Sequence, residues 1–183
     1  MITKKYNTDK FDLGYMDHLY NDLFLDKLDS TTKLLEIGVF NGGSALYWKD
    51  IFPNADIYAL DINHCSILDN EQRINHIVGN AYSDIILNQF ENNTFDIIID
   101  DGPHTFDSFM YLVNNYVQKL RTGGLMIIED IINTKWTQKL IDALNNTQYK
   151  TEYKVYDMRL KQKTKHLVDL WKNGLDILVI ERK

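Results

Sequence analysis

The chain has 183 residues, a formal net charge of −6 and one cysteine. This length suits one domain with a substantial buried core. The negative charge and the lack of a basic stripe argue against nucleic acid as a partner, and the only basic run, Lys161 to Lys165, is interpreted as a solvated loop. With no leader, no apolar run of about 18 residues and no internal disulfide, we expect a cytoplasmic protein that binds no membrane.

Short apolar strands alternate with amphipathic stretches along the whole sequence. We predict strands at Lys33–Gly38, Asp56–Asp61, Asn75–Gly79, Phe95–Asp100, Gly124–Glu129, Glu152–Asp157 and Asp176–Glu181. The alternation predicts an α/β fold, a Rossmann-like three-layer sandwich in which a seven-stranded sheet is mostly parallel. The last two strands lack a connecting helix, so the last strand is expected to be antiparallel.

Helical patterns fall between the strands and before the first one. They are predicted at Ser44–Ile51, Ala81–Gln89, Phe106–Leu120 and Thr134–Asn145. An extra helix, Met16–Leu28, is expected to cap the sheet edge or the site. Residues 1–183 are therefore interpreted as a single domain, in which residues 1–30 form an N-terminal cap.

The first predicted strand ends in a glycine-containing loop that runs into a helix, Gly38 to Ser44. Glycines let the backbone approach a ligand closely, and the N–H groups of a helix start favour a carboxylate or phosphate. The bulky Phe40 argues against the dinucleotide fingerprint, whose second glycine would stand there. The loop therefore indicates a nucleotide-type ligand, and the alternative is a simple strand-to-helix turn.

The next two strand ends supply groups for a nucleoside. Asp61 ends the second strand about twenty residues beyond the glycine loop, where an acid can accept both ribose hydroxyls. Asn80 can bond an adenine edge, and Tyr82 or Ile62 can cover the face of the base. The alternative for Asn80 and Ser83 is a polar helix cap.

Two neighbouring strand ends bring several carboxylates together. Asp100 ends the fourth strand and Asp101 follows it, with His104 one turn later, and the fifth strand runs into Glu129 and Asp130. Such crowding requires a cation, and oxygen ligands favour Mg²⁺ or Mn²⁺. A histidine beside a metal can deprotonate an acidified hydroxyl. The alternatives are a helix cap at His104 and a hydrogen-bonded strand end at Glu129-Asp130.

These motifs together resemble the class I S-adenosylmethionine-dependent methyltransferases. Within them the chain is most similar to the metal-dependent O-methyltransferases of the macrocin and mycinamicin sugar type and to the related cephalosporin hydroxylase family. The resemblance covers nearly the whole chain and is carried by Thr8-Asp9-Lys10 with Tyr15 and Asp17, Glu36-Ile37-Gly38 with Gly42-Gly43-Ser44, Asp61, Asp100-Asp101-Gly102-Pro103-His104, Gly123-Gly124 and Glu129-Asp130.

The resemblance implies a role for each matching position. Asp101, Glu129 and Asp130 are implied to hold a divalent metal, with His104 as the base and Asp101 as its catalytic partner. The residues implied or expected to contact S-adenosylmethionine are Lys10, Glu36, Gly38, Asn41, Ser44, Asp61, Ile62, Asn80, Ala81 and Asp100. Among these, Lys10 is implied to close over the cofactor or the substrate.

The sequence thus predicts metal-assisted O-methylation of a small hydroxylated acceptor such as a sugar or nucleotide-sugar. Two alternatives from other classes stay open. One is a cephalosporin hydroxylase-like oxidoreductase, although no two-histidine, one-carboxylate triad is evident. The other is a non-catalytic module that binds S-adenosylmethionine and regulates a partner. The identity of the acceptor and the oligomeric state are beyond what the sequence specifies.

Overall fold

A computed structural model describes residues 6–159 and 175–183. The basic run Lys161 to Lys165, interpreted above as a solvated loop, lies outside these ranges. Within them, every helix is too short or too polar to cross a bilayer.

The core of the fold is one seven-stranded sheet. The strands are β1 Lys33–Ile37, β2 Asp56–Asp61, β3 Ile74–Val78, β4 Phe95–Asp100, β5 Leu120–Ile131, β6 Thr151–Asp157 and β7 Asp176–Arg182. Their order across the sheet is β3-β2-β1-β4-β5-β7-β6. Neighbouring strands pair in parallel except for β7, which is antiparallel to both β5 and β6. This arrangement confirms the Rossmann-like prediction and the antiparallel last strand.

Helices cover both faces of the sheet. The α-helices are α1 Asn21–Phe24, α2 Gly43–Ile51, α3 Asp84–Leu87, α4 Phe106–Asn115 and α5 Thr134–Asn145. The prediction for α5 is confirmed residue for residue. The prediction of a helix from Ala81 to Gln89 is too long, because Asn80 Oδ1 accepts the Tyr82 N–H and holds the residues before Asp84 in a turn.

The end of α4 and both ends of β5 also differ from the prediction. Helix α4 ends at Asn115, and a short 3₁₀ turn, Val117–Lys119, leads directly into β5 at Leu120. Strand β5 therefore begins before the glycine pair at which the strand was predicted to start, and it also continues beyond Glu129 to Ile131.

Alternate residues of the central strands pack into two separate hydrophobic layers. Ile97 and Ile127 face the layer that contains α2 and the N-terminal segment, whereas Ile98 and Ile128 face the layer of α4 and α5. This is the two-residue periodicity of a strand buried on both faces. The apolar runs of β4 and β5 are continuous because both of their faces are covered.

The strand register brings the functional loops to one edge of the sheet. Asp100 lies beside Ile37 on one side and Ile128 on the other, so the residues that follow β1, β4 and β5 emerge together. The chain proceeds outward from β1 through β2 to β3 and then returns to β4. The point at which strand order reverses, between β1 and β4, is where open α/β sheets bind ligands.

The N-terminal segment crosses the β1–β4–β5 edge and differs from its prediction. A single α-helix was predicted at Met16–Leu28, but a π-helical turn at Met16–Tyr20 precedes the short α1. Tyr20 and Phe24 pack against the indole of Trp48 with ring centroids 5.0 and 5.8 Å apart. Aromatic packing of this kind fixes the segment over the strand ends.

Candidate active site

A cleft of about 780 Å³ opens at the ends of β1, β2, β3 and β4. This volume is within the usual range for small-molecule sites. Its walls include Gly38, Asn41, Ser44, Asp61, Ile62, Asn80, Ala81, Asp101 and His104, with Asn7, Thr8 and Asp9 of the N-terminal segment. Most of the residues predicted to contact a nucleotide-type ligand thus lie around one cavity.

Gly38 is required where the loop turns away from β1. Its φ of +83° lies in the left-handed region, and a Cβ atom there would be 2.0 Å from the carbonyl oxygen of Asp101. Any larger residue would separate the loop from β4. The close approach of these two backbones forms the base of the cleft.

Asp61 holds the glycine loop in place from the neighbouring strand. Its Oδ2 accepts the N–H groups of Val39 and Phe40 at 2.9 and 3.1 Å, and its Oδ1 accepts the Asn63 N–H at 2.8 Å. Each carboxylate oxygen has two acceptor sites, so Asp61 retains capacity for a ligand hydroxyl. The acid that was expected to bind ribose therefore also organises the loop.

Two large apolar side chains stand exposed at the mouth of the cleft. Phe40 is 84% exposed and Ile62 is 69% exposed, although both line the cavity. Exposed apolar groups at a cavity mouth are suited to cover the flat face of a bound ring. Phe40 adopts a φ of +43°, a strained conformation for an aromatic residue.

Asp100 and Glu36 lie beneath the cleft and do not form its walls. Tyr82 donates to Asp100 Oδ1 at 2.5 Å, and Trp48 Nε1 donates to Glu36 Oε1 at 2.9 Å. Within residues 6–159 and 175–183, the second oxygen of each carboxylate has no hydrogen-bond partner. Burial raises the pKa of each acid to about 7. Buried acceptors of this kind are costly unless a donor reaches them.

Beyond the cleft lies a group of acids that we call the carboxylate centre: Asp101, Glu129 and Asp130. Asp101 borders both regions, because it also lines the cleft. One ligand atom from each of Asp101, His104 and Asp130 lies within 4.8 Å of the other two. Burial raises the pKa values of Glu129 and Asp130, and the neighbouring carboxylates raise them further. A divalent cation would offset this crowding of acids.

Lys10, which was predicted to contact the cofactor, lies beside the carboxylate centre and does not line the cleft. Its Nζ is 2.5 Å from Asp101 Oδ2 and 2.9 and 2.8 Å from the two oxygens of Glu129. Burial lowers the pKa of Lys10, but the charges of Asp101 and Glu129 raise it well above its usual range. The ammonium group therefore remains charged and neutralises part of the centre.

Glu129 is consequently separated from the other two predicted metal ligands in this conformation. Lys10 occupies both of its oxygens, and the Tyr20 hydroxyl donates to Oε1. The group whose ligand atoms converge contains His104 in place of Glu129. The sequence did not indicate this pairing, since Lys10 is separated from Glu129 by 119 positions.

A β-bulge directs Asp130 toward the centre. Consecutive residues of a regular strand point to opposite faces, so Glu129 and Asp130 could not both reach one site. Asp130 has a φ of +54°, and the pairing of β5 with β7 shifts register between Ile128 and Ile131. The extra residue rotates Asp130 to the side of the N-terminal segment, where the Tyr15 hydroxyl donates to its Oδ1.

The π-helical turn explains why two tyrosines donate hydrogen bonds to the carboxylate centre. Residues five apart lie on different faces of an α-helix, but the wider π turn brings Tyr15 and Tyr20 to the same side. Both rings are buried, and burial together with nearby acids raises both tyrosine pKa values. The hydroxyls therefore stay protonated and act as donors. Sequence analysis missed Tyr20, although its spacing from Tyr15 was visible.

His104 is bonded to the carboxylate centre and not to the helix that follows it. Its Nε2 lies 3.1 Å from Asp101 Oδ1, whereas the N-cap of α4 is Thr105, which accepts the Ser108 N–H. The alternative role of His104 as a helix cap is thus not what the structure shows. Burial lowers the pKa of His104, but the bond to Asp101 and the charges of Asp130 and Asp100 raise it by more.

Comparisons with known proteins place this architecture in a family. The family described as methyltransferase domain matches residues 35–131. The chain is 34% identical over 145 residues to mycinamicin VI 2''-O-methyltransferase of Micromonospora griseorubida and 32% identical over 145 residues to demethylmacrocin O-methyltransferase of Streptomyces fradiae. Each alignment covers 74% of this chain and 36% of the relative, so the chain spans about a third of their length.

Solved structures agree with this result. The MycE methyltransferase of mycinamycin biosynthesis, in complex with Mg, SAH and mycinamycin VI, superposes with a TM-score of 0.58 at 34% identity over 68% of this chain and 34% of that chain. A SAM-dependent methyltransferase from Archaeoglobus fulgidus covers 96% of this chain and 97% of its own, with a TM-score of 0.62 at 11% identity, which supports the fold alone. The chain belongs to the methyltransferase domain family, of the class I fold, as its motifs predicted.

Proposed function

We propose that this protein is an S-adenosylmethionine-dependent O-methyltransferase that acts with a divalent metal on a hydroxyl of a small molecule of the sugar class. One observation carries the proposal: Asp101 and His104 line the nucleotide-type cleft and also belong to the group that converges on the carboxylate centre. A methyl donor in the cleft would therefore lie beside groups suited to bind and deprotonate a hydroxyl.

The cleft fits the proposed cofactor. The loop from Gly38 to Ser44 lines the cleft and would hold the methionine portion. The unpaired oxygen of Glu36 is a buried acceptor that a donor group such as an ammonium would satisfy. Asp61 is assigned to the ribose, and Asn80 and Ala81 to the adenine edge. Asn80 also accepts the Tyr82 N–H, so its turn-forming alternative and its ligand role are compatible.

The carboxylate centre fits a hard divalent cation. Asp101 and Asp130 offer oxygen ligands, as Mg²⁺ and Mn²⁺ prefer, and His104 stands next to them. Glu129 can join this set only if Lys10 and Tyr20 release it. We therefore assign Asp101 and Asp130 as the primary metal ligands and keep Glu129 as a ligand that requires movement of the N-terminal segment.

Within this arrangement, the chain's own residues position the acceptor and move its proton. When bound, S-adenosylmethionine supplies the methyl group and the cation supplies positive charge that acidifies the acceptor hydroxyl. His104 donates its Nε2–H to Asp101 Oδ1 at 3.1 Å, which orients the imidazole, and its other ring nitrogen, Nδ1, would accept the proton. The N-terminal segment, with Asn7, Thr8 and Asp9 in the cleft wall, excludes water from the donor.

The sugar-type acceptor rests on the relatives. They are named for methylation of mycinamicin VI and of demethylmacrocin, and this chain covers about a third of each. We propose a hydroxylated small molecule, with no role for nucleic acid or membrane, and the cytoplasmic location stays a prediction. The oxidoreductase alternative is not favoured, because the group at the cleft has one histidine and two carboxylates. The described cluster that does contain two histidines and one carboxylate, His64, Asp69 and His76, does not line the cleft.

Methyl transfer from labelled S-adenosylmethionine to a panel of sugars, nucleotide-sugars and glycosylated polyketides tests this proposal. We expect turnover with Mg²⁺ or Mn²⁺, loss of turnover in excess chelator and recovery on adding metal back. Asp101→Asn should abolish turnover, and the exposed Asp107→Asn should not. Binding of S-adenosylhomocysteine with no turnover across the panel would indicate the non-catalytic module, and full activity without metal would remove the metal from the mechanism.

A further inference from the structure

A second cluster of metal-ligating side chains is separate from the carboxylate centre and does not line the cleft. It consists of His64 and Asp69, in the connection after β2, and His76 on β3. The side chains of His64 and Asp69 are 57% and 46% exposed, and that of His76 is 9% exposed. Neither the catalytic proposal nor the cofactor assignment uses any of the three.

The three side chains converge on one point. His64 Nε2 is 3.0 Å from Asp69 Oδ1, and His76 Nδ1 is 4.0 Å from the same oxygen. The imidazole rings of His64 and His76 lie side by side, with centroids 5.1 Å apart. One ligand atom from each residue lies within 4.8 Å of the other two.

We propose that His64, Asp69 and His76 bind a late first-row divalent metal of the zinc class. Two imidazoles and one carboxylate are a donor set that zinc accepts, with water in the fourth position. With metal–ligand bonds of about 2.0–2.2 Å, the ligand atoms of a tetrahedral site lie roughly 3.3–3.6 Å apart. His64 Nε2 and Asp69 Oδ1, now 3.0 Å apart, would separate slightly, and His76 Nδ1, now 4.0 Å from that oxygen, would move closer to it. The exposed His64 and Asp69 side chains can make this movement without disturbing the core.

The surroundings of His76 are compatible with this role. Its Nε2 accepts a long hydrogen bond of 3.4 Å from the Cys65 backbone N–H, and its Nδ1 faces Asp69. Binding through Nδ1 places the single imidazole proton on Nε2 and breaks only that long contact. Nδ1 can therefore serve as a metal ligand with little loss of hydrogen bonding.

A metal here would link the connection after β2 to strand β3. The 3₁₀ turn Ser66–Leu68 lies between His64 and Asp69 and packs on the glycine loop, since a Cβ at Gly42 would be 2.7 Å from Ile67 and 2.8 Å from Leu68. The same connection supplies Ile62 and Asn63 to the cleft. The metal would thus cross-link β3 to the connection that packs on the glycine loop, at a place separate from the carboxylate centre.

The two centres differ in donor chemistry. The carboxylate centre is rich in oxygen ligands and suits Mg²⁺, whereas the His64–Asp69–His76 cluster has two nitrogen ligands and suits zinc. The proposal does not depend on methyl transfer. It requires only that zinc bind where the imidazoles converge.

Calorimetric titration of untagged protein with Zn²⁺ tests the proposal. The background is Asp101→Asn with His104→Asn, in excess Mg²⁺, so that zinc binding at the carboxylate centre is removed. We expect one zinc site in this background. Adding His64→Ala should weaken that site at least about 100-fold, because loss of an outer partner alone costs ~10–100-fold.

The exposed His18→Ala variant is the matched control and should leave the zinc affinity unchanged. His64 is itself exposed, so its variant should keep the fold, and circular dichroism checks this. Co²⁺ in the same background should show the visible absorption bands of a four-coordinate site, and His64→Ala should remove them. Zinc binding that is undetectable, or that His64→Ala leaves unchanged, would overturn the proposal.

Discussion

The cleft and the carboxylate centre share one sheet edge but are built in opposite ways. The cleft is open and is formed by loops that each follow directly from a strand, with Asp61 fixing the glycine loop through backbone N–H groups. The carboxylate centre is buried, and its charges are paired by Lys10, Tyr15 and Tyr20 from the N-terminal segment. One region is shaped by backbone and the other by side-chain electrostatics.

This difference assigns separate tasks to the two regions. Substitutions in the cleft should change the affinity for the cofactor, because little charge is buried there. Substitutions in the carboxylate centre should change the methyl-transfer rate or the stability, because an unpaired buried charge is costly. Asp101, which borders both regions, is the residue at which the two tasks meet.

The largest effect on the methyl-transfer rate is expected at His104, the proposed general base. His104→Asn should lower the methyl-transfer rate by about 10²–10⁴-fold while affinity for S-adenosylhomocysteine stays within twofold, because the imidazole acts only on the acceptor proton. Asparagine is chosen because it tolerates the φ of +51° at this position. Single-turnover kinetics measure the rate and calorimetry the affinity.

The rate loss in His104→Asn should shrink as pH rises, since a metal-acidified hydroxyl ionises without a protein base. The exposed His18→Ala variant should retain the native rate. A large loss of cofactor affinity in His104→Asn would show that His104 also contributes to cofactor binding. That result would contradict the separate functions of the cleft and the carboxylate centre.

A stability effect is expected at Lys10. Lys10→Met removes the cation from a buried cluster and should lower the free energy of unfolding by about 3–5 kcal/mol, because Asp101 and Glu129 lose their partner. Urea denaturation without metal measures this change. Added Mg²⁺ should restore part of the lost stability, since the cation replaces the missing charge.

The exposed Lys135→Met variant is the control and should shift stability by less than about 0.5 kcal/mol. If Lys10→Met is as stable as the native protein, Lys10 is not what balances the charge of the carboxylate centre.

A smaller effect is expected at Glu36, beneath the cleft. Burial raises its pKa to about 7 from the usual 4.5, so between these values the folded protein holds a proton that the unfolded chain releases. The free energy of unfolding should therefore fall as pH rises from 4.5 to 7, with a contribution of up to about 3 kcal/mol from this group. Glu36→Gln should reduce this slope.

Unfolding curves across this pH range compare Glu36→Gln with the exposed Glu91→Gln, which should keep the native slope. An unchanged slope in Glu36→Gln would mean that Glu36 ionises normally in the folded protein and that its unpaired oxygen is solvated.

The cleft was largely predictable because its residues are close in sequence to the strand ends that position them. Asp56–Asp61 and Phe95–Asp100 are continuous apolar runs, and the structure confirms their bounds. Parallel strands then bring their carboxyl ends to one edge by topology alone. Asp61 and Asp101 therefore line the same cavity, as the topology of the sheet alone predicts.

The carboxylate centre could be predicted only in part. The crowding of acids was visible, but the bulge at Asp130 is set by pairing with β7, and the position of Lys10 depends on a contact across 119 positions. The apolar spacing in Met16–Leu28 favoured an α-helix and hid the π turn that brings Tyr15 and Tyr20 together. Long-range packing decided these features, and local patterns do not encode it.

The most direct test of the separation between the two regions is the affinity for S-adenosylhomocysteine, measured by calorimetry with Mg²⁺ and with chelator. Native protein and Asp101→Asn should bind it within about threefold of each other under both conditions, while Asp61→Ala should bind at least about tenfold more weakly. Methyl transfer should require metal throughout. If chelator or Asp101→Asn abolishes binding of S-adenosylhomocysteine while Asp61→Ala preserves it, the two regions do not have the tasks assigned to them.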